Sequence, residues 1–329
     1  MSTQVPIEEI SAIPYVDRNA IQCRTVCATT FYTEGRWQMW FIHDGRLHPI
    51  QIIDLAEGVY FGDAAAGPHD FNLNALNLIA QHVCNADTQR PFAGIWDDLY
   101  NIAASIAKLD VVTTHRAEIG DQAARMVVTE VEYLAIQCRG IFDYIQKIIK
   151  AQWAKAYSAE NGSPSKQNLP QSFGDMVLED HGPRSASDIA FRYLIPEPLA
   201  AAYAKHAPFF ANLKKMRDAI VHRAAQTPVI FMTDVGPCIE SHLWPFNTMT
   251  IWRSDEVQAN NVVPLKLALG AMIYRTLLAA EELIMAYAQV VRLGSPVCPK
   301  HRLYLRASSG LALATLLNDT VQRHMPPSE

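Results

Sequence analysis

Three long stretches of the chain carry apolar residues at alternating spacings of three and four, and this pattern constrains the fold more than any other feature. The stretches run from Val127 to Ile148, from Leu213 to Ala224 and from Ile273 to Val291. Because an α-helix has about 3.6 residues per turn, each set lies along one side of a helix. An apolar side must be covered, so the sequence predicts amphipathic helices that pack against one another in a bundle.

A different pattern near the N-terminus indicates a small β element. Residues alternate with a period of two from Arg36 to Phe41, and a second apolar-rich run extends from Leu47 to Ile53. The Asp44-Gly45 pair between the two runs is typical of a tight hairpin turn. Pro49 cannot donate a backbone hydrogen bond, so it weakens the second arm or places that arm at a sheet edge.

These elements predict a mainly α fold class: a helical bundle with a small N-terminal β-hairpin and short β-like runs before the last long helix. The short runs are Val229–Thr233 and Met249–Arg253. We divide the chain into an N-terminal region with the hairpin and two helices, residues 1–115, and a bundle, residues 116–292. The C-terminal tail, residues 293–329, has room for one helix.

Composition narrows the class of protein. The chain has 329 residues, of which 50% are hydrophobic, and its formal net charge is −5. That hydrophobic content supports a large core. The net negative charge provides no global positive field, so binding of nucleic acid must depend on local basic residues.

Several features point to a cytoplasmic location without a membrane partner. The apolar stretch from Val262 to Val291 contains Lys266, Arg275 and Glu281, and charges that frequent argue against a transmembrane helix. The six cysteines are scattered through the chain, as is typical of reduced thiols. The opening segment, MSTQVPIEEI, has neither the basic nor the apolar region of a secretory signal.

Common cofactor and metal motifs are missing from the sequence. There is no P-loop, no dinucleotide-binding glycine motif, no nucleophile elbow, no H-E-x-x-H and no C-x-x-C. Cys23 and Cys27 lie four residues apart, and Cys298 precedes His301 by three, but neither pair has the second ligand pair that a structural zinc requires. We therefore predict no cofactor and no metal ion.

One helical segment combines residues that can act on a phosphodiester. It contains Arg217, Asp218 and His222. At about 100° per residue, Asp218 and His222 lie roughly 40° apart and one turn apart, so Asp218 can orient the imidazole and raise its pKa. Arg217 falls between Leu213 and Val221, near the apolar stripe. A cation at that position needs a buried partner, a ligand or a second subunit.

The run Arg217-Asp218-x-x-x-His222 resembles the motif of the HEPN superfamily: an Arg, a polar residue directly after it, and a His with four to six residues between the Arg and the His. The resemblance covers about residues 120–291 and implies an antiparallel helical bundle. It also implies metal-independent cleavage of RNA, often by toxins or defence factors. His222 would be the acid or base, Arg217 would hold the phosphate, and Asp218 would orient His222.

The resemblance also implies partners. RNA would be the substrate, two chains would pair their motifs in a homodimer, and a protein such as an antitoxin could bind the assembly. Basic residues that could guide RNA are Lys147, Lys150, Lys155, Lys214, Lys215 and Arg223.

Two alternatives to RNA cleavage stay open at this point. Some HEPN proteins bind nucleotides or protein partners without cutting RNA, and the net charge of −5 favours such a binding module. The motif can also be a coincidence in an unrelated helical scaffold, since Arg36 and His43 fit the same spacing in the expected hairpin. In that case His222 is a solvated surface residue and Arg217 extends its charge from the edge of the stripe.

Overall fold

The computed structural model describes residues 6–21, 24–161, 168–180, 182–222, 229–248 and 251–324. The side chains of residues 156–161, 221, 222 and 324 lie outside this description. The α-helices are Ile7–Ile10 (α1), Arg18–Ile21 (α2), Asn74–Leu78 (α3), Gln89–Thr114 (α4), Arg116–Ile119 (α5), Gln122–Asn161 (α6), Phe173–Val177 (α7), Ala186–Tyr193 (α8), Glu197–His222 (α9), Leu265–Val290 (α10) and Gly310–His324 (α11).

The strands form three sheets in the described residues. Their bounds are Thr30–Thr33 (β1), Arg36–His43 (β2), Arg46–Ile52 (β3), Gly58–Gly62 (β4), Asp70–Phe71 (β5), Leu178–Glu179 (β6), Gly182–Pro183 (β7), Phe231–Thr233 (β8), Gly236–Glu240 (β9), Val262–Pro264 (β10) and Arg302–Arg306 (β11). The sheet orders are β3-β2-β1-β4-β11-β5, β10-β9-β8 and β6-β7. A π-helical turn, Ile79–Val83, continues α3.

The expectation of a mainly α fold is wrong, because a six-stranded mixed sheet stands beside the helices. β1 and β4 pair in parallel, and the other pairs in this sheet are antiparallel. β11 comes from the C-terminal part of the chain and lies between β4 and β5. Strands as short as β4, β5 and β11 carry almost no periodic signal, and their pairing spans most of the chain. Sequence pattern therefore indicates only the hairpin.

The N-terminal hairpin is confirmed. β2 and β3 pair antiparallel from Trp37 opposite Ile52 to His43 opposite Arg46. Asp44 and Gly45 at the turn have φ of 48° and 73°, the left-handed conformation that a tight two-residue turn requires. β3 is an edge strand, which accommodates Pro49 as expected. The β-like run at 229–233 includes β8, whereas Met249 and Thr250 lie outside the described residues and 251–253 form no strand.

The long helices α4, α6, α9 and α10 form a bundle in which α9 runs antiparallel to both α6 and α10. Tyr203 of α9 donates its hydroxyl hydrogen to Gln146 Oε1 of α6 at 2.6 Å. On the other side of α9, the His206 ring lies 2.7 Å from Glu282 of α10. The predicted apolar stripes are buried from Val127 to Ile148 in α6 and from Ile273 to Tyr287 in α10, as are Leu213 and Met216 of α9. Ile220 and Val291 are partly buried, and Ala224 lies outside the described residues. α4 also belongs to this bundle and packs along α6, although it lies within the N-terminal 115 residues.

Candidate functional site

Arg217 and Asp218 lie together on the C-terminal half of α9. The Arg217 guanidinium donates to Asp218 Oδ1 at 2.8 Å, and the two side chains are 33% and 37% exposed. Arg217 therefore has a local, partly solvated partner, whereas its position near the apolar stripe predicts a buried partner, a ligand or a second subunit. An ion pair with this exposure contributes about 0–1 kcal/mol to stability, so its geometry is more informative than its energy.

His222 is the last residue of α9. It follows Asp218 by four residues on a continuous helix, so the two backbone positions are one turn apart, as the spacing predicts. The His222 side chain and Arg223 lie outside the described residues. The structure therefore establishes the Arg217–Asp218 contact and the helical spacing of the third motif residue.

Two lysines precede the motif on α9, and a tryptophan lies against the second of them. Lys214 and Lys215 are exposed. The Lys215 ammonium lies 5.9 Å from the ring centroid of Trp244, in the loop after β9, and Trp244 is itself 36% exposed. Cations beside an accessible aromatic ring are the groups that bind single-stranded nucleic acid through phosphates and bases.

The small sheet β8–β10 holds this loop against the bundle. The Arg116 guanidinium, just after α4, donates to the backbone carbonyls of Met232 and Thr233. β10 leads directly into α10, and Lys266 in the first turn of α10 bonds to Asp110 of α4. The second half of α9, at Lys215, therefore lies beside a braced loop that carries Trp244.

The other lysines proposed to guide RNA lie elsewhere. Lys147 and Lys150 line a cleft of about 760 Å³ between α4 and the second half of α6. Lys155 is paired with Asp87, with 2.8 Å between Nζ and Oδ2. Tyr203 and Gln146 lie at the same level of the bundle. Arg217 follows Tyr203 by about 14 residues on α9, so it lies roughly 21 Å from that level along the bundle axis. The motif and this cleft are therefore separate places on the surface.

A buried carboxyl group between α4 and α6 escaped the sequence analysis. Asp98 is only 8% exposed, and burial, with a further contribution from the charge of Asp97, raises its pKa to about 7. The Gln137 amide can satisfy both forms of this group. With its nitrogen toward Asp98 it donates to the carboxylate and accepts from the Tyr133 hydroxyl at 2.8 Å. Turned over, its oxygen accepts from the protonated carboxyl.

A second pocket, of about 500 Å³, lies where Tyr15 and His301 meet the six-stranded sheet. The Tyr15 hydroxyl accepts hydrogen bonds from Thr33 and Gln38, so its own hydrogen is free to donate. The His301 ring is 8% exposed, and burial lowers its pKa. Carboxylates and Lys300 share this lining, so its charge selects no class of ligand.

The cysteines are mostly buried. Cys84, Cys138, Cys238 and Cys298 are buried free thiols, Cys27 is partly buried, and Cys23 lies outside the described residues. In the part of the chain that the structure describes, no group of three His, Cys, Asp or Glu side chains is placed to hold a metal ion.

Comparisons with known protein families, with curated proteins and with solved structures find no match to this chain. Among the helices within the described ranges, none combines the length and the apolar character needed to cross a lipid bilayer.

Proposed function

We propose that this protein is a metal-independent endoribonuclease whose site is the C-terminal end of α9. The observation that carries the proposal is the partly exposed Arg217–Asp218 pair, about one helical turn before His222, on a helix whose Lys215 lies against Trp244. The resemblance of this run to the HEPN motif supports the assignment. The exposed Lys214, Lys215 and Trp244 supply the local basic and aromatic surface that an acidic chain needs to bind RNA.

The reaction transfers a phosphoryl group within the RNA. The ribose 2′-oxygen bonds to the adjacent phosphorus while the bond from phosphorus to the 5′-oxygen breaks, so a 2′,3′-cyclic phosphate and a free 5′-hydroxyl result. The 2′-hydroxyl loses its proton to a base and the leaving 5′-oxygen gains one from an acid. An imidazole titrates near neutral pH, so His222 is suited to either transfer.

Arg217 and Asp218 act together in this scheme. The Arg217 guanidinium holds the phosphate and stabilises the additional negative charge of the transition state. Asp218 Oδ1 accepts a hydrogen bond from Arg217 at 2.8 Å and so positions the guanidinium. This role comes in addition to the orientation of His222, which the sequence predicts. Its second carboxylate oxygen can accept from the imidazole, so one carboxylate positions both groups.

The direct test is incubation of the purified protein with single-stranded RNA in EDTA. We expect RNA fragments that end in 2′,3′-cyclic phosphates, because the nucleophile is the 2′-hydroxyl and no metal takes part. DNA of the same base sequence, which lacks every 2′-hydroxyl, is the matched control and should stay intact. Loss of cleavage in EDTA would contradict the proposal. Absence of cleavage under all conditions, with RNA still bound, would identify a binding module.

The proposal includes a homodimer that pairs two motifs, with a protein partner such as an antitoxin as its regulator. A second copy would bring a second His222, so that one imidazole could accept a proton while the other donates. Light scattering at micromolar concentration should then give twice the chain mass of 36.7 kDa. A species of 36.7 kDa alone, with full cleavage activity, would show that one chain suffices.

A further inference from the structure

The cleft between α4 and α6 concentrates positive charge in a protein that is negative overall. We call it the cationic cleft. Arg90, Lys147 and Lys150 line it, together with Tyr144, and the amides of Asn168 and Gln171 complete its polar surface. The chain as a whole has a net charge of −5. The gathering of three cations in one concave site therefore calls for a local explanation.

The described carboxylates form no ion pair with these cations, although the charges of Asp97 and Asp143 reach Tyr144 in the lining. Asp87 lines the cleft, but its carboxylate is paired with Lys155 at 2.8 Å. Within the described residues, Arg90, Lys147 and Lys150 form no ion pair, and Lys147 lies 5.3 Å from the ring centroid of Tyr144. Lys147 and Lys150 are partly buried, and Arg90 is exposed.

The first turn of α4 adds to the positive potential. Arg90, Pro91 and Gly94 of that helix line the cleft. α4 is 26 residues long, has no acidic residue in its first turn, and receives no side-chain cap from Thr88. Its N-terminal partial positive charge therefore adds to that of the three side chains, although the Gln89 amide is already bonded to the Asn85 carbonyl and Pro91 has no amide hydrogen.

We propose that the cationic cleft binds the consecutive phosphate groups of a small phosphorylated ligand. Lys147 and Lys150, one helical turn apart, would each contact one phosphate, and Arg90 from the facing helix would bind a phosphate with two parallel hydrogen bonds. A volume of about 760 Å³ accommodates several phosphates and an attached group. A nucleoside polyphosphate and inorganic polyphosphate share this chemistry. This site is separate from the proposed ribonuclease site on α9, and the proposal does not depend on RNA cleavage.

Isothermal titration calorimetry of the full chain at low ionic strength tests this site. Inorganic tripolyphosphate is the first probe and ATP is the second. We expect one binding site per chain and at least a roughly tenfold weaker affinity in the Lys147→Gln/Lys150→Gln variant, since each lost charge removes a charge-assisted contact. Lys108→Gln/Lys205→Gln is the matched control. It removes the same charge from lysines paired with Glu130 and Glu282 and should bind normally.

The two probes separate the sources of phosphate. Equal affinities would assign the site to the phosphate chain alone, and ATP at least roughly tenfold tighter would assign it to a nucleotide. The proposal is overturned if neither probe binds at millimolar concentration, or if both double variants weaken binding equally. Single-stranded RNA is a third probe. The proposal is also overturned if RNA alone binds and the Lys147→Gln/Lys150→Gln change weakens that binding, because the cleft would then be part of an RNA-binding surface.

Discussion

Replacement of His222 by alanine should lower the rate of RNA cleavage by about 10²–10⁴-fold, because the substitution removes the group that transfers the proton. Arg217→Ala should cost a comparable or smaller factor through lost stabilisation of the phosphate charge. Asp218→Asn should cost less, since the amide oxygen can still accept from Arg217 while the negative charge is lost. Initial rates on one fluorescent RNA, in EDTA, measure all three.

His43→Ala is the matched control for this series. His43 lies at the end of β2 with a 69% exposed side chain, and with Arg36 it has the spacing of the same motif. Its loss should leave the rate unchanged. Thermal unfolding of each variant checks that the fold survives, which we expect because the Arg217–Asp218 pair is partly solvated. Full activity in an Arg217→Ala/His222→Ala variant would place the chemistry elsewhere.

Asp98→Asn should remove a pH dependence from the stability of the protein. The pKa of Asp98 is raised to about 7 in the folded chain from 3.8, so the folded state binds this proton more tightly than the unfolded state. The resulting stabilisation is complete below the unfolded pKa and is lost as the pH rises through the folded pKa. A difference of about three pKa units corresponds to a free energy on the order of 4 kcal/mol.

The measurement compares urea unfolding of the wild type and Asp98→Asn at pH 4.5 and pH 8, values we choose as roughly the two limits of this titration. From pH 4.5 to pH 8, the free energy of unfolding of the variant should rise relative to that of the wild type. The reason is that asparagine hydrogen-bonds to Gln137 without a buried charge. Asp255→Asn, the same change at an exposed site, should not alter the profile. If the stabilities of Asp98→Asn and the wild type changed in parallel with pH, Asp98 would be ionised in the folded protein without a cost in free energy.

Local pattern alone was enough to predict the elements that depend on neighbouring residues. The stripes from Val127 to Ile148 and from Ile273 to Val291 predict α6 and α10, because helical period and burial act over a few turns. The Asp44-Gly45 turn predicts the hairpin, since left-handed backbone at both positions is a property of those residues. The spacing of Asp218 and His222 on one helix is equally local.

Only the tertiary structure decided which distant segments meet. β11 enters the six-stranded sheet between β4 and β5, a pairing that joins residues far apart in the chain and leaves no periodic trace in five residues. The cationic cleft combines Arg90 with Lys147 across two helices, and Asp98 becomes a buried acid only because α6 covers it. Charge, burial and pKa depend on what surrounds a side chain in space, and a sequence pattern records only what precedes and follows it.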